Sequence, residues 1–247
     1  MIAIDGLTKT HRGRAVLSDV TFRAEAGRVT GFLGPNAAGK SSTLRVLLGL
    51  DRPTAGAALI GGRPYRSLRE PLRTVGSMLD GAGAHRARTA RGHLRWVARS
   101  HGLPGRRVTE VLERVGLADT GRTRAGRFSL GMRQRLGLAT ALLGEPAALV
   151  LDEPANGLDP EGVRWLRGVV RDHAAAGGTV LLSSHLMSEV AEVADDLVVI
   201  AGGRVRAAGP LAQVIAGHES LEEAFFALTE SDTEAHAGAG PGIGGRR

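Results

Sequence analysis

One segment constrains the fold of this chain more than any other: residues 34–42 have the sequence GPNAAGKSS. The apolar run Val29 to Leu33 precedes it, and leucines at helical spacing follow it from Leu44 onward. The segment therefore lies where a buried strand ends and a helix begins. Such a junction presents free backbone N–H groups at a helix N-terminus, and these groups favour a bound phosphate.

The residue types in this loop make the prediction more specific. Two glycines are separated by four residues and followed directly by Lys40 and Ser41, the spacing of a loop whose N–H groups surround a polyphosphate. The lysine would neutralise phosphate oxygens, and the serine hydroxyl would bind a magnesium ion. A glycine-rich turn without a ligand is the alternative, but Lys9 is the only other lysine in the chain. We predict that the whole loop contacts a nucleotide: Gly34, Pro35, Asn36, Ala37, Ala38, Gly39, Lys40, Ser41 and Ser42.

Composition limits the class of protein more loosely. The 247 residues are enough for one large α/β domain or two small ones, and the lack of cysteine excludes disulfides and thiolate chemistry. No apolar run approaches the roughly 18 residues of a membrane span. The N-terminus, MIAIDGL, lacks the basic and apolar regions of a signal peptide. We therefore expect a cytosolic protein without a membrane span.

The charge of the chain points to several classes of partner. The formal charge is +7, and thirty of the 32 basic residues are arginine. Such a balance is typical of proteins that bind nucleic acid or anionic membranes. The arginines look scattered, however, and aromatic residues, which stack on bases, make up only 3%. We therefore attribute the arginine content to codon bias and expect no direct contact with nucleic acid.

Short strands and turns surround the loop. Two alternating runs between Ile2 and Ala24 predict a strand pair, with a turn at His11 to Arg14. A helix is expected from Ser42 to Leu50, ended by the following Asp-Arg-Pro, because the residue before proline avoids the helical conformation. Further strands are expected at 56–62 and 74–79.

The middle of the chain changes period. From Thr89 to Leu143 apolar residues recur at helical spacing, which predicts a helical block inserted between strands. Three later apolar runs, 147–151, 179–182 and 197–201, predict strands that are buried on both faces. The fold class is therefore α/β, with a mainly parallel sheet covered by helices. The final segment, 229–247, has too little apolar content to pack, and we expect it to be disordered.

Polar residues follow two of these apolar runs. Asp152 and Glu153 come after 147–151, and His185 comes shortly after 179–182. Ligand-binding groups gather at the carboxyl ends of strands in α/β sheets. We predict that Asp152 holds magnesium and that Glu153 orients or deprotonates an attacking water. An acidic turn without function is the alternative, and His185 is a candidate donor to the γ-phosphate.

Five segments, in this order along the chain, resemble the ATP-binding cassette ATPases: GPNAAGKSS, FSLGMRQR, ALVLDEP, NGLD and SSH. The resemblance extends over essentially Ile2 to Leu228. The resemblance implies a P-loop NTPase cassette with a mainly parallel core sheet, a small antiparallel β subdomain and an inserted helical subdomain. The core would comprise 2–79 and 145–228, and the helical subdomain 80–144.

The segment SLGM at 129–132 is similar to the signature that separates this family from other phosphate-loop proteins. The resemblance implies a dimer of two copies, in which Ser129 and Gly131 of one copy contact the ATP that is held by the phosphate loop of the other. Ser129 is also a good N-cap for the helix that follows, and both interpretations can hold together.

Other site residues are carried over by the same resemblance. Asp152 resembles the magnesium-associated aspartate, Glu153 the catalytic base and His185 the switch histidine. Asp159 resembles the loop that couples the two sites of the dimer. It is also an expected N-cap, because Pro160 follows it at a favoured position for proline.

Three positions depart from the family pattern. Asp80 stands where the family usually has glutamine, and its carboxylate would sense the metal through water while adding negative charge beside the phosphates. His11 stands where an aromatic residue usually stacks on adenine, so we expect a weaker contact with the base. The signature is SLGM rather than SGGQ, which keeps the second glycine and alters the contacts around it.

Two functions of different classes fit these features. The first is the ATPase subunit of a transporter, on the inner face of the cell membrane beside a separate permease, most similar to bacterial multidrug and antibiotic exporters. The second is a soluble cassette ATPase that acts on nucleic acid or the ribosome, which the charge of +7 suggests. Such proteins usually carry two cassettes, coiled coils or zinc modules. A phosphate-loop kinase is disfavoured by the signature segment.

Overall fold

The computed structural model describes residues 1–79 and 83–230, and within them the chain forms nine strands and nine α-helices, with two short 3-10 turns. The strands are β1 (Ile2–His11), β2 (Arg14–Ala24), β3 (Val29–Leu33), β4 (Ala55–Ile60), β5 (Val75–Met78), β6 (Ala148–Asp152), β7 (Thr179–Ser183), β8 (Asp196–Ala201) and β9 (Arg204–Pro210). The helices are α1 (Lys40–Leu47), α2 (Pro71–Thr74), α3 (Ala90–Ser100), α4 (Arg106–Arg114), α5 (Leu130–Leu142), α6 (Pro160–Ala175), α7 (Met187–Val193), α8 (Leu211–Val214) and α9 (Leu221–Glu230).

The strands form two sheets, as the sequence predicts. The smaller sheet has the order β2-β1-β4 and is antiparallel. The larger sheet has the order β5-β6-β7-β3-β8-β9, and its first five strands are parallel. The predicted α/β class, with a mainly parallel core sheet and a small antiparallel sheet, is confirmed.

The central strands of the larger sheet are apolar throughout because both faces are covered. All five residues of β3, β6 and β7 are buried. In β6, Leu149 and Leu151 pack with the helices α3 to α6 on one face, whereas Ala148 and Val150 pack with α1 and the antiparallel sheet on the other. Successive side chains of a strand point to opposite faces. A strand between two apolar layers is therefore apolar at every position, without polar residues in alternation.

The helical block lies against the larger sheet. Four of its apolar residues at helical spacing are buried together: Val108, Val111, Leu112 and Val115. Gly76 in β5 approaches α5 so closely that a Cβ at this position would lie 2.0 Å from the carbonyl oxygen of Ala141. Helix and strand therefore pack with their backbones almost in contact. The division of the chain at 80 and 144 stays a prediction.

Helix α1 ends by a mechanism that the sequence analysis did not anticipate. It ends at Leu47, and Gly49 adopts the left-handed conformation with φ of 68°. The N–H of Leu50 donates to the carbonyl oxygen of Arg45 at 2.9 Å, which closes the helix end. The prediction that proline ends this helix was therefore wrong, because the glycine terminates it before the proline is reached.

Two further elements were not predicted or were placed differently. β9 pairs antiparallel with β8, although its sequence, RVRAAGP, has little apolar alternation. Helix α9 continues to Glu230, so ordered structure extends past the predicted start of the tail at 229, and residues 231–247 lie outside the described residues. No helix in the described ranges is both long enough and apolar enough to cross a bilayer.

A buried histidine in the helical block gives the fold a pH dependence. His93 is 5% exposed, its Nε2 lies 3.3 Å from Thr140 Oγ1, and its pKa is lowered by burial and by the nearby charge of Arg88. Because the folded state resists protonation of His93, stability present at neutral pH is lost as the pH falls below about 6.5 toward the lower folded pKa.

We expect His93→Gln to lose less stability than the wild type between about pH 7.5 and pH 5.5. The measurement is the urea midpoint at each pH. Part of the slope should remain, because burial and Arg114 lower the pKa of His173 in the same way. The exposed His85→Gln variant is the control and should follow the wild type; an unchanged slope in His93→Gln would show that His93 does not set it.

Candidate functional site

Three strand ends bring the predicted site together. β6, β7 and β3 are neighbours in the sheet and run in parallel, so their carboxyl ends lie at one edge. The phosphate loop follows β3, Asp152 and Glu153 lie at the end of β6, and His185 follows β7. Asp152 is opposite Ser183 in the strand register. The structure therefore assembles the three clusters that the sequence shows separately.

The glycines of the loop are required by close contacts. A Cβ on Gly34 would lie 2.4 Å from the carbonyl oxygen of Ile200, and Gly39 has φ of 109° with Leu17 beside it. Ala37 also has a positive φ, of 64°, a conformation that costs an alanine about 1 kcal/mol. Strained backbone of this kind concentrates at ligand-binding sites.

Lys40 begins helix α1 and is 8% exposed. Its Nζ donates to the carbonyl oxygen of Gly34 and lies 3.4 Å from that of Pro35, so the ammonium group is held over the loop. Burial lowers the pKa of Lys40, and the carboxylates of Glu153 and Asp152 partly offset this effect. The two carboxylates therefore favour the charged form of Lys40, and a buried ammonium group at the loop can pair with an anionic ligand.

Asp152 connects the loop to the neighbouring strand. Its Oδ2 accepts a hydrogen bond from Ser41 Oγ at 3.0 Å, and its Oδ1 accepts one from Ser183 Oγ. The carboxylate is 9% exposed, so both of its oxygens are fixed in position. Hydroxyl and carboxylate oxygens are the ligands that Mg²⁺ prefers.

Glu153 and His185 form a pair that the sequence did not predict. His185 Nδ1 lies 2.7 Å from Glu153 Oε2, and the backbone N–H of His185 also points to this oxygen, at 3.3 Å. Glu153 has φ of 49°, held by a hydrogen bond of 3.1 Å from its N–H to the carbonyl oxygen of Ser183. The side chain of His185 is half exposed, so the pair faces open space.

The predicted signature segment begins helix α5. Ser129 caps the helix by accepting a hydrogen bond from Met132 N at 3.1 Å, which confirms the expected N-cap. A Cβ on Gly131 would lie 3.1 Å from the carbonyl oxygen of Gly157, so the signature packs against the NGLD segment. In that segment, Asp159 caps helix α6 through Gly162 N at 2.8 Å, as predicted.

An open cleft joins these parts of the site. Its walls are formed by residues from the loop, the end of β6, the start of α5 and the NGLD segment: Ser41, Asp152, Glu153, Leu130, Arg133, Gln134, Asn156 and Gly157. Gln134 was missed by sequence reasoning. It is 8% exposed, and its Oε1 has no hydrogen-bond partner within the described ranges. Its position one helical turn after Gly131 is the signal that places it beside the signature.

One predicted site residue, His11, has no supporting contact with the loop among the described residues. His11 is exposed at the end of β1 and pairs with Arg14 across the hairpin; among the described residues, no hydrogen bond, ion pair or ring contact joins it to the loop. Asp80 lies outside the described residues. The predicted roles of both stay predictions.

Comparisons with known proteins agree with this geometry. The family described as ABC transporter matches residues 17–156. The chain is 35% identical over 225 residues to the lantibiotic transport ATP-binding protein SrtF of Streptococcus pyogenes, covering 91% of this chain and 96% of the relative. It is 38% identical over 208 residues to the bacitracin transport ATP-binding protein BcrA of Bacillus licheniformis, covering 83% of this chain and 68% of the relative.

Solved structures show the same fold. An ATP-binding subunit of an ABC transporter superposes with a TM-score of 0.84 at 29% identity, over 92% of this chain and 99% of that one. A dimeric ATP-binding cassette bound to ADP and phosphate superposes with a TM-score of 0.77 at 20% identity, over 85% and 99% of the two chains. A family model matches residues 17–156, and a relative is 35% identical over 96% of its own length, so this chain belongs to the ABC transporter family, as an ATP-binding cassette.

Proposed function

We propose that this chain binds and hydrolyses ATP to power export of a substrate through a separate membrane permease. The observation that carries the proposal is the convergence of a phosphate loop, an Asp152–Ser41 pair and a Glu153–His185 pair at one sheet edge. Each pair supplies a group that phosphoryl transfer to water needs: oxygen ligands for a metal, and a base beside a histidine.

The residues of the loop fit a nucleoside triphosphate and magnesium. Gly34 and Gly39 carry no side chain that could cover the backbone N–H groups of the loop, and Lys40 supplies the positive charge. Ser41 and Asp152 would hold magnesium, which neutralises phosphate charge when bound. No cluster of three or more His, Asp or Glu suited to a metal occurs in the described part of the chain. The remaining ligands would therefore be phosphate oxygens and water, as is usual for this ion.

Glu153 is the candidate general base. Its carboxylate lies at the cleft and is oriented by His185, which can donate from Nδ1 when that nitrogen carries the proton. A base must be positioned before it can take a proton from water, and this hydrogen bond supplies the orientation. The exposed side of His185 remains available to a phosphate oxygen.

A second copy of the chain would complete each site. Ser129 and Leu130 lie at the surface at the start of helix α5, with Leu130 48% exposed. A helix N-terminus favours an anion, so the signature of one copy is suited to face the phosphates that are held by the other. Solved cassettes of the same fold include dimeric structures.

Export of a drug or peptide antibiotic is the transport reaction that we propose. The relatives include transport proteins for a lantibiotic and for bacitracin, and a daunorubicin resistance protein of Streptomyces coeruleorubidus that is 38% identical over 213 residues, covering 84% of this chain and 67% of the relative. The chain would act in the cytoplasm, at the inner face of the cell membrane, bound to its permease.

Co-expression with a candidate permease, a membrane-spanning protein encoded by a neighbouring gene, tests this function. We expect the chain to remain in the membrane fraction after a high-salt wash only when that partner is present, because a packed protein interface resists salt and a purely ionic contact does not. The same cells should export a drug in an ATP-dependent manner. Retention after the high-salt wash without the partner, or recovery with ribosomes or RNA instead, would contradict the proposal.

A further inference from the structure

The positive charge of this chain is concentrated in one part of it. Residues 83–144 contain thirteen arginines and three carboxylates, a formal charge of +10. The rest of the chain contains nineteen basic and twenty-two acidic residues, a formal charge of −3. The expectation that arginines are scattered was therefore wrong. Codon bias alone would raise arginine throughout the chain and would not remove carboxylates from one block.

Most of these arginines are not neutralised within the chain. In the described ranges only two of the thirteen, Arg106 and Arg107, form ion pairs with carboxylates. Arginines that stabilise a fold usually have a carboxylate partner, because the charge is otherwise left to solvent. The others therefore leave the helical block with an uncompensated positive surface.

The exposed face of helix α3 carries the densest part of this surface. The helix sequence, ARGHLRWVARS, has no acidic residue, and its buried face is formed by Ala90, His93, Leu94, Val97 and Ala98. Arg91, Arg95 and Arg99 recur at four-residue spacing outside this buried face; Arg95 and Arg99 are exposed, and Arg91 is half-buried at its edge. Beside them Trp96 is 54% exposed, and the guanidinium of Arg88 lies 4.5 Å from the centre of its ring.

Three arginines of this region surround one concavity. Arg91 and Arg95 from α3 and Arg122 from the loop before α5 line it together, and Asp119 is the carboxylate among its lining residues. Arg91 Nη1 donates to Thr109 Oγ1 at 3.2 Å, which fixes one side of the concavity. Three arginines that line one polar concavity supply guanidinium donors of the kind that bind phosphate groups.

We propose that this arginine face, formed by Arg88, Arg91, Arg95, Trp96, Arg99 and Arg122, binds the phosphate headgroups of anionic phospholipids. It rests on the proposed function, because only a cassette that is held at a membrane meets headgroups. An exposed tryptophan among arginines favours a lipid surface, since the indole ring prefers the interface between water and the acyl chains. Nucleic acid is a less suitable partner for this face, because Trp96 is the one aromatic ring on which a base could stack.

Vesicle binding by the purified full chain tests the proposal. We expect binding to phosphatidylcholine vesicles that contain about 30% phosphatidylglycerol, and little binding to phosphatidylcholine alone. The combined Arg91→Gln, Arg95→Gln, Arg122→Gln variant should partition about 100-fold more weakly. Its rate of ATP hydrolysis in solution should equal that of the wild type, because none of the three lies in the nucleotide site.

The matched control replaces three arginines of the rest of the chain, Arg23, Arg63 and Arg164, by glutamine. All three are exposed, and within the described ranges none forms an ion pair. We expect this variant to bind vesicles nearly as the wild type does. An equal loss in both variants would mean that net charge, and not this face, drives binding, and it would overturn the proposal.

Trp96 supplies an independent readout, because the chain has one other tryptophan, Trp165. In a Trp165→Phe variant we expect the emission of Trp96 to shift to shorter wavelength on anionic vesicles. Binding without a shift would place the contact on another face. Binding to polyglutamate or duplex DNA, but not to vesicles, would show a different partner; either result overturns the proposal and leaves the ATPase assignment intact.

Discussion

Glu153→Gln should slow ATP hydrolysis by about 10²- to 10⁴-fold, the range that general-base catalysis contributes, while leaving nucleotide affinity nearly unchanged. The carboxylate of Glu153 lies at the cleft and accepts a hydrogen bond from His185 at 2.7 Å. A glutamine oxygen can accept the same hydrogen bond, and the positive φ of 49° costs a glutamine as much as a glutamate. The variant therefore removes the proton acceptor and little else.

The measurement is steady-state phosphate release with magnesium present, together with nucleotide binding and the oligomeric state. Because ATP would bind without being cleaved, the variant should accumulate as a closed dimer in ATP. Glu113→Gln is the matched control, since Glu113 is an exposed glutamate of the helical block without an ion pair in the described ranges. A Glu153→Gln variant with wild-type turnover would remove Glu153 from the role of base.

Much of the site could be predicted from sequence because each of its groups lies at a strand end. A strand buried on both faces is a continuous apolar run, and the polar residues that follow it are visible at once. Gly34, Asp152 and His185 were located in this way. The rule that ligands gather at the carboxyl ends of parallel strands then placed them at one edge, and the strand order β6-β7-β3 confirms it.

The pairings inside the site could not be predicted in the same way. Whether His185 meets Glu153 or another group depends on the strained backbone of Glu153 and on the register between β6 and β7. Neither the strained backbone nor the strand register can be predicted from the residue types. Gln134 was missed because helix α5 is buried on most sides, so one polar residue among apolar neighbours does not show which cleft it lines.

The distribution of charge was also misjudged, for a different reason. A count of arginines over the whole chain hides the difference between a block at +10 and a remainder at −3. Charge becomes informative when it is counted within a folded unit, because ion pairs form between neighbours in space. The buried face of α3 leaves Arg95 and Arg99 exposed and Arg91 at its edge.

Lys40→Ala should weaken the binding of magnesium–ATP by about 10²- to 10³-fold, because removing one partner of a buried charge pair costs about 2–5 kcal/mol. Lys40 is 8% exposed, and its Nζ rests on the carbonyl oxygens of Gly34 and Pro35. A phosphate at the loop would offer this ammonium group a charged acceptor in place of neutral ones. The free protein should fold normally, because the lysine carries a desolvation cost that alanine does not.

The chain contains its own control, since Lys9 is the one other lysine. Lys9 donates to the carbonyl oxygen of Arg52 at 2.7 Å at the surface, so Lys9→Ala should leave nucleotide affinity unchanged. Thermal unfolding separates binding from folding: a ligand at 100 times its Kd stabilises the wild type by about 2.7 kcal/mol. The same concentration should leave the melting temperature of Lys40→Ala almost unmoved. An equal shift in both proteins would mean that Lys40 does not contact the phosphates, and the loop would then bind nucleotide through its backbone N–H groups alone.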